Sequence, residues 1–417
     1  MAHKKDPLYD KFFFARQPIL MTDQSLWGYE LLFRNSSEAT SAIISDGYKA
    51  TLNVAADLCA APGENLPDNV KLVVNFSHKS IMDKIPYSLP AGKTVVQIPE
   101  TTPPTPNFIN ALKELSKDGY DIAIDDFEGR PQGQFLIAYA DAIIVDILSA
   151  DEEKLRRICE LCKESKTKLI AKRVENMSQF NMAQELGFNF FQGFYFKRPE
   201  NIKGRKLRSG ETVKLKLLKL IESPTPDFDA LAAALQNDVS ISYRLLTLLN
   251  SPTFGFPQKI NSIKQAIVLA GWKMLKNWLR VILLTDLTPK EKSLELPQLA
   301  TQRAKFLQLI ATESKSGLQP DSMFLLGLFS LLGAMFDMPM HTLTKFLPLD
   351  DDISAALCGE DNIYNRYLEL ISFFEAGDWD NLEFVITELD LDTVLVSKSY
   401  YEATRWANSF FQIPGVS

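Results

Sequence analysis

The chain has 417 residues, 46% of them hydrophobic, and its 45 Lys and Arg against 52 Asp and Glu give a net charge of −7. This composition suits packed cores in two or three domains and excludes extended disorder. A mildly acidic chain also lacks the overall positive field of a nucleic-acid-binding protein. The longest apolar stretch, residues 323–336, is too short to cross a bilayer, and residues 1–10 show no signal-peptide pattern. We therefore expect a cytoplasmic protein with no membrane segment.

From residue 12 to about residue 196, short apolar runs alternate with helix-like segments. The runs are FFFARQPIL, GYELLFR, KLVVNFS, TVVQI, YDIAIDDF, DAIIVDIL, KLIAKRV and FNFFQGFYF. The segments between them include SDGYKATLNVAADLCA, NFINALKELSKDG and DEEKLRRICELCKES. This alternation predicts an α/β fold, and eight runs in so short a stretch favour a closed (β/α)8 barrel over an open sheet. Only residues 21–27 separate the first two runs, which indicates a hairpin and hence one antiparallel strand.

Polar side chains lie at or near the ends of most of these runs. They are Glu30, Asn75, Gln97, Asp125, Asp126, Asp146, Lys172 and Glu175. Because the carboxyl ends of barrel strands form the functional rim, we expect these side chains to converge. Solvation of a strand end explains one such residue, but the same pattern in six runs predicts a present or ancestral site.

Residues 197–219 differ in composition, with nine Lys or Arg against two Glu. Such a basic run is usually a solvated face, and contact with nucleic acid is the alternative. From residue 212 onward the apolar residues follow a helical period. The predicted domains are therefore a barrel at 8–200, a basic linker at 201–211 and an all-α domain at 212–417.

Two long apolar segments characterise the helical half. Ser262 and Gln265 fit a capping box at the start of the predicted helix IKQAIVLAGWKMLKNWLRVILL. Residues 323–336 predict another buried helix. The aromatic residues are expected to lie in the core, with a partner groove as the alternative; they are Phe254, Phe256, Trp272 and Trp278.

Seven ordered motifs lie along the first half: ARQPI (15–19), GYELLFR (28–34), VVNFS (73–77), AIDDF (123–127), IVD (144–146), IAKRVE (170–175) and QGFYFKRP (192–199). This series resembles the EAL family of cyclic di-GMP phosphodiesterases. In the second half, DVSISYRLLTLLNSPTFG and INSIKQAIVLAGWKML resemble the HDOD domain, and SLLGAMFDMPM is similar to fused EAL–HDOD proteins. The resemblance implies a modified (β/α)8 TIM-like barrel followed by a helical HDOD domain.

The EAL resemblance implies a site in which carboxylates hold two divalent metals, such as Mg²⁺ or Mn²⁺, and a glutamate activates water. The positions that keep a matching group are Glu30, Asn75, Asp125, Asp126, Glu175 and Gln192. The positions implied for nucleotide binding are Gln17, Leu32 and Arg34. Arg34 suits a phosphate because its planar fork can contact two oxygens.

Three positions depart from the family pattern. Gln97 stands where the family has a metal-binding glutamate, Ile144 where it has a lysine, and Lys172 where it has the general-base glutamate. Losing a general base costs roughly 10²–10⁴ in rate, and lost metal activation costs on the order of several kcal/mol more. These departures predict an inactive barrel without a metal cofactor.

We therefore expect a non-catalytic signalling or scaffold protein. The barrel is expected to take a protein partner or cyclic di-GMP, and the HDOD domain to mediate regulatory output. One alternative is an active metal-dependent cyclic di-GMP phosphodiesterase with an atypical site. Another is a nucleic-acid-associated regulator that acts through residues 197–219. The oligomeric state is left open by the sequence, and a homodimer is one candidate because EAL-like barrels often pair.

Lys172 has a further predicted role. Two close carboxylates without a cation repel each other. We expect the ammonium of Lys172 to lie over Asp125 and Asp126 and to replace missing metal charge.

Histidine and cysteine residues add no predicted metal site. No histidine lies between residues 200 and 340, and His341 alone cannot build the metal set of a related hydrolase. His78 is expected in a solvated loop, and His341 at a helix end or in a loop. Cys159 and Cys162 form a C-x-x-C without a second pair or nearby histidine, which indicates ordinary helix residues.

Overall fold

The computed structural model describes residues 14–33, 69–165, 167–197, 209–223, 225–228, 231, 239–250, 260, 263–289 and 292–411. The chain divides into two compact units. The first comprises Met1–Phe196 and Ser372–Phe384, and the second comprises Lys197–Ile371 and Val385–Ser417. Most of the predicted linker, 201–211, lies outside the described residues.

Eight strands close into a barrel in the first unit. They are β1 Phe14–Met21, β2 Leu26–Phe33, β3 Lys71–Asn75, β4 Thr94–Pro99, β5 Asp121–Asp125, β6 Ala142–Asp146, β7 Lys168–Lys172 and β8 Phe190–Gln192. β1 pairs antiparallel with both β2 and β8, and all other neighbours pair in parallel. The predicted TIM-like barrel with one antiparallel strand is confirmed.

Apolar side chains fill the interior of the barrel. They are Ile19, Val73, Val95, Ala123, Ala142, Ile144, Ile170 and Phe190. β-Branched residues are frequent among them because their stiff side chains pack well on a pleated strand. Trp27 stacks on Phe190, with ring centroids 4.3 Å apart, and extends this core. The strands β3, β5, β6, β7 and β8 all end on a polar residue, so polar groups gather at the carboxyl end.

Helices of the first unit follow the strands. They are α1 His78–Met82, α2 Pro106–Lys117, α3 Pro131–Leu136, α4 Glu152–Cys162 and α5 Met177–Glu185, with 3₁₀ turns at Ile85–Ser88, Ile137–Tyr139 and Tyr195–Lys197. The longest ones begin on a side chain that accepts a backbone N–H and so satisfies the open first turn: Thr105 for α2, Asp151 for α4 and Asn176 for α5. Two predicted helices are confirmed, and SDGYKATLNVAADLCA lies outside the described residues.

The described part of the remaining chain is helical, as predicted. The helices are α6 Ser209–Ile221, α7 Val239–Leu249, α8 Ile263–Ala270, α9 Trp272–Leu287, α10 Glu295–Glu313, α11 Pro320–Phe329, α12 Leu332–Phe336, α13 Met340–Leu343, α14 Asp351–Leu357, α15 Ile363–Ala376, α16 Trp379–Glu388 and α17 Thr393–Phe411, with a 3₁₀ turn at Thr344–Phe346. Trp278 is 3% exposed and stacks on Phe410 at 5.1 Å, which confirms a core position. Phe254 and Phe256 lie outside the described residues.

Both long predicted helices are broken in two. The helix predicted from residue 263 ends at Ala270 and restarts at Trp272, because Gly271 adopts φ of 78°, which side chains with a Cβ rarely allow. The helix predicted at 323–336 ends at Phe329 and restarts at Leu332. There Ser330 Oγ donates to the carbonyl of Gly327 at 2.7 Å, which satisfies an open carbonyl at the helix end.

Among the described residues, no single helix has the length and apolar character needed to cross a membrane. The bent pair Pro320–Phe336 and Met340–Phe346, with 109° between its parts, meets those criteria only when both parts are taken together.

Gly327 lets α11 approach α10 closely. A Cβ at this position would lie 2.5 Å from the backbone nitrogen of Ala304 and from the backbone carbon of Arg303. We expect Gly327→Ala to lower the free energy of unfolding by about 2 kcal/mol through overpacking. Helix propensity alone would raise it by about 1 kcal/mol. Urea denaturation of the variant distinguishes the two effects by the sign of the change in the free energy of unfolding. A variant more stable than the wild type would contradict the close approach of α11 to α10.

Candidate active site

Glu30, on β2, is the carboxylate around which polar side chains from three other strands of the barrel gather. It is 2% exposed. Asn75 Nδ2 and Gln97 Nε2 lie 3.2 Å and 3.3 Å from Glu30 Oε1, and Gln192 Nε2 donates to Glu30 Oε2. These donors come from β3, β4 and β8. They satisfy a carboxylate that is costly to bury without partners.

Lys172, the last residue of β7, contacts two consecutive aspartates at the end of β5. Its Nζ lies 3.3 Å and 3.2 Å from Oδ1 and Oδ2 of Asp125, and 3.8 Å from Oδ1 of Asp126. The expected contact with both aspartates is therefore present. Asp125 has a side chain 9% exposed and Asp126 one 70% exposed, so the ammonium joins a buried carboxylate to an exposed one.

Burial and neighbouring charges both shift the pKa values of Asp125, Asp126 and Lys172. Burial raises the pKa of Asp125, and the ammonium of Lys172 offsets this only in part. Burial also raises the pKa of Asp126, and the neighbouring Asp125 adds to the rise. Burial lowers the pKa of Lys172, but three carboxylates outweigh it and raise the pKa above its usual value. Lys172 is therefore an ammonium at neutral pH and cannot accept a proton as a general base.

The amide of Gln97 gives a test of whether a cation fits. Its Nε2 faces Glu30, and the amide also hydrogen-bonds Asp125. Its Oε1 is buried without a hydrogen-bond partner, which is a costly state for a carbonyl oxygen. Half a turn of the amide presents Oε1 to both carboxylates. Carboxylate and amide oxygens are the ligands that Mg²⁺ and Mn²⁺ prefer, so these residues fit one divalent cation.

A second cation does not fit the same cluster. The position between Asp125 and Asp126 is taken by Lys172. In the described part of the chain, no group of three or more His, Cys, Asp or Glu side chains is arranged to hold a metal. A cation here therefore depends on the amide oxygens of Asn75 and Gln97 as well as on carboxylates.

Two of the residues implied for nucleotide binding, Gln17 and Leu32, contact the segment Ser372–Phe384 of the first unit. Gln17 Oε1 accepts from Gln192 Nε2 at 2.9 Å, which joins Gln17 to the cluster. Gln17 Nε2 donates to the carbonyl of Glu375 at 3.0 Å. Leu32 lies against Gly377, where a Cβ would be 2.7 Å from Leu32 Cδ1. Arg34 lies outside the described residues.

Two other site positions have different surroundings. Ile144 is 2% exposed and packs in the barrel core, so the position carries no charge toward the rim. Glu175 follows β7, and its backbone N–H donates to Gln179 Oε1 at 2.7 Å. The structure brings neither side chain into the hydrogen bonds around Glu30 described above.

Sequence reasoning missed the role of Glu100. This carboxylate is 1% exposed and accepts the backbone N–H groups of Glu128 and Arg130, at 3.0 Å and 2.6 Å. It thereby holds the loop that follows Asp126. A glutamate directly after the strand-ending Pro99 was the available signal, but its partners are backbone groups that residue types do not reveal.

A cleft of about 340 Å³ opens beside the aspartates. Its charged lining side chains are Glu100, Asp126, Glu128, Arg130, Asp146 and Lys154. The volume is at the lower end of ordinary ligand sites. Charges of both signs line it, and it adjoins the carboxylate pair that Lys172 contacts.

The described histidines and cysteines stand apart from the site. His78 begins α1 and stacks on Phe108 at 4.8 Å, so the expectation of a solvated loop is wrong. Ser77 accepts the N–H of Ser80 and starts the helix at that point. His341 lies in the short helix α13, as expected. Burial raises the pKa of Cys162 to about 11, so its thiol stays protonated at neutral pH.

Comparisons with known proteins agree with the barrel and the helical half. The EAL domain family matches residues 8–199, and the HDOD domain family matches residues 207–343. The chain is 32% identical to the cyclic di-GMP phosphodiesterase CdgJ of Vibrio cholerae, over 97% of this chain and 95% of that protein. It is 31% identical to the uncharacterized protein YuxH of Bacillus subtilis, over 96% and 98%. The chain belongs to the family of proteins that join an EAL domain to an HDOD domain.

Solved structures match a smaller part of the chain. The EAL enzyme Bd1971 in its cAMP-bound form is 19% identical, over 44% of this chain and 61% of that chain, with a TM-score of 0.37. The Klebsiella pneumoniae BlrP1 complex with calcium and cyclic di-GMP is 22% identical, over 48% and 58%, with a TM-score of 0.38. The chain thus spans about three fifths of those two proteins. Scores of this size add nothing to the family assignment.

The prediction of an inactive, non-enzymatic barrel is wrong. CdgJ, which aligns with nearly the whole chain, is named a cyclic di-GMP phosphodiesterase. The error lies in treating each replaced group as irreplaceable. An amide oxygen at Gln97 can still bind a cation, and the ammonium of Lys172 still supplies positive charge. The expectation of no metal cofactor was inferred from the same three departures as inactivity, so it loses its basis as well.

Proposed function

We propose that this protein is a metal-dependent cyclic di-GMP phosphodiesterase with an atypical cation site. The observation that carries the proposal is the buried carboxylate of Glu30, surrounded by amides from β3, β4 and β8. The alignment with CdgJ, which is 32% identical and covers 97% of this chain, supports cyclic di-GMP as the substrate. Cyclic di-GMP signalling is the role that both domains support.

The proposed cation is Mg²⁺ or Mn²⁺. The residues suited to hold it are Glu30, Asn75, Gln97 and Asp125, and the partnerless Gln97 Oε1 supports this choice. A divalent ion held by these residues would polarise a phosphoryl oxygen and lower the pKa of water.

The chemistry is hydrolysis of one phosphodiester bond. The oxygen of water bonds to phosphorus, the bond from phosphorus to the 3′ oxygen breaks, and a proton from water ends on that 3′ oxygen. The product is a linear dinucleotide. Lys172 contributes a fixed ammonium at the rim, where negative charge develops on the phosphoryl oxygens. Asn75 and Gln192 keep the carboxylate of Glu30 in place.

An assay on the full chain tests this proposal. Purified protein is incubated with cyclic di-GMP and Mn²⁺, and the linear dinucleotide is measured by chromatography. We expect product with Mn²⁺, none after EDTA, and product again when Mn²⁺ is added in excess. Absence of product with both Mn²⁺ and Mg²⁺ would refute the proposal.

For the second unit, we propose a regulatory role carried by a protein partner or by a homodimer. Two adjacent apolar side chains on α8 support a contact surface, since Val268 is 80% exposed and Leu269 is 44% exposed. Light scattering of the full chain tests the homodimer, and a single-chain mass contradicts it. The nucleic-acid alternative stays a prediction, because 198–208 of the basic stretch lie outside the described residues.

A further inference from the structure

The contact between Lys172 and the aspartate pair has a consequence for the number of metal ions. Both carboxylate oxygens of Asp125 face the same ammonium, at 3.3 Å and 3.2 Å. The ammonium also reaches Asp126 at 3.8 Å. The side chain of Lys172 is 23% exposed, so most of it is enclosed by protein at this position. A cation bridging the two aspartates would have to displace it.

Charge balance points the same way. Glu30, Asp125 and Asp126 carry three negative charges when ionised, and Lys172 with one divalent cation neutralises them. A second divalent cation would leave excess positive charge in a partly buried site, which is unfavourable.

The buried amide gives an independent sign of where the remaining ion binds. Gln97 is 0% exposed, and its Oε1 has no hydrogen-bond partner. Nε2 of the same amide lies 3.3 Å from Glu30 Oε1, so Oε1 points away from Glu30, and half a turn of the amide brings this oxygen to the Glu30 side of the cluster. The two halves of the site thus differ. One half contains the Gln97 oxygen, which has no hydrogen-bond partner and can serve as a metal ligand, and the other half already contains the ammonium of Lys172.

We propose that the ammonium of Lys172 takes the place of a second metal ion, so that this site binds a single divalent cation. That cation is held by Glu30, Asn75, Gln97 and Asp125. Lys172 supplies the second positive charge permanently, without depending on metal concentration. The inference rests on the proposed function for its catalytic meaning, but the number of bound ions can be counted without any turnover.

The test counts Mn²⁺ ions per chain, by electron paramagnetic resonance of the unbound ion during titration of the full chain. We expect one Mn²⁺ for the wild type and two for Lys172→Glu. Lys172→Met removes the ammonium without adding a ligand, and it should tighten the second site roughly tenfold or more relative to wild type, because a unit charge about 4 Å away is lost. Melting curves check that each variant is folded.

Lys154→Glu is the matched control. Lys154 is paired with Glu128 at 3.5 Å, lines the neighbouring cleft and carries the same charge as Lys172. Its replacement changes the net charge equally, and we expect it to keep one Mn²⁺. Two ions in the control would mean that overall charge, not Lys172, sets the number, and would overturn the inference.

The remaining outcomes separate the two proposals. Two Mn²⁺ ions in the wild type, or none, overturn the inference. One ion in both the wild type and Lys172→Glu overturns it as well. A protein that binds one ion but does not cleave cyclic di-GMP refutes the proposed function and leaves the ion count intact. A protein that cleaves it with two bound ions refutes the inference alone.

Discussion

Glu30→Ala is expected to reduce cyclic di-GMP hydrolysis on the order of 10³-fold or more. Glu30 is the carboxylate on which three amides converge, and the proposed cation loses its central anionic ligand with it. Metal activation is worth several kcal/mol of transition-state stabilisation, and about 1.4 kcal/mol corresponds to a factor of ten in rate. The measurement is the initial rate of linear dinucleotide formation in saturating Mn²⁺.

Two further variants make this result interpretable. Glu30→Gln keeps the volume of the side chain but removes its charge, and we expect a comparable loss of rate. Glu114→Ala removes an exposed carboxylate on α2, whose side chain is 62% exposed, and should leave the rate unchanged. Hydrolysis by Glu30→Ala at more than a tenth of the wild-type rate would show that this carboxylate does not serve the reaction.

Arg280→Leu is expected to lower the free energy of unfolding of the helical unit by about 3–5 kcal/mol. The side chain of Arg280 is 0% exposed and donates to both carboxylate oxygens of Glu222, each at 2.6 Å. It also donates to Asn277 Oδ1 at 2.8 Å. Within the described part of the chain, removing the guanidinium leaves Glu222, 6% exposed, with Lys276 at 3.0 Å as its remaining cation. Chemical denaturation of the full chain measures the change.

The size of this effect depends on burial, and that dependence can be tested. Arg156, on α4, pairs with Glu152 at the surface, and the two side chains are 65% and 57% exposed. Arg156→Leu should therefore change stability by less than about 0.5 kcal/mol. The double variant Arg280→Leu with Glu222→Leu should recover much of the loss, because no carboxylate is then left buried alone. An Arg280→Leu protein as stable as Arg156→Leu would contradict the buried pair.

The barrel could be predicted from the sequence because each strand carries its own signal. Runs such as KLVVN and TVVQI are short, rich in β-branched residues and bounded by polar residues, and chain order then limits the possible connections. The first hairpin was predictable from its short polar turn. In that turn Asp23 Oδ1 accepts the backbone N–H of Ser25 at 3.0 Å, which closes the chain reversal locally.

The helix breaks could not be predicted in the same way. Apolar periodicity continues across Gly271, and a glycine is tolerated inside a helix at a modest cost. Its φ of 78° is a property of the backbone that no pattern of residue types records. The break after Phe329 is likewise absent from an apolar run that continues to Phe336.

The candidate site was predictable in its residue types but not in its chemistry. The contact of Lys172 with the aspartates follows from charge alone, because adjacent carboxylates at one strand end need a cation. The orientation of the Gln97 amide and its orphaned oxygen depend on packing between β2, β4 and β5. Activity was predicted wrongly because a rate penalty at each altered position assumes that no other group can supply what was lost.

Glu100 ties the surface loop after β5 to the end of β4. Its carboxylate is 1% exposed and accepts the N–H groups of Glu128 and Arg130. Amide hydrogens in such bonds exchange with heavy water only when the bond opens. These two amides should therefore exchange slowly, although most of the loop is open to solvent. Their deuterium uptake then measures how often the hydrogen bonds between Glu100 and this loop open, close to Asp125 and Asp126.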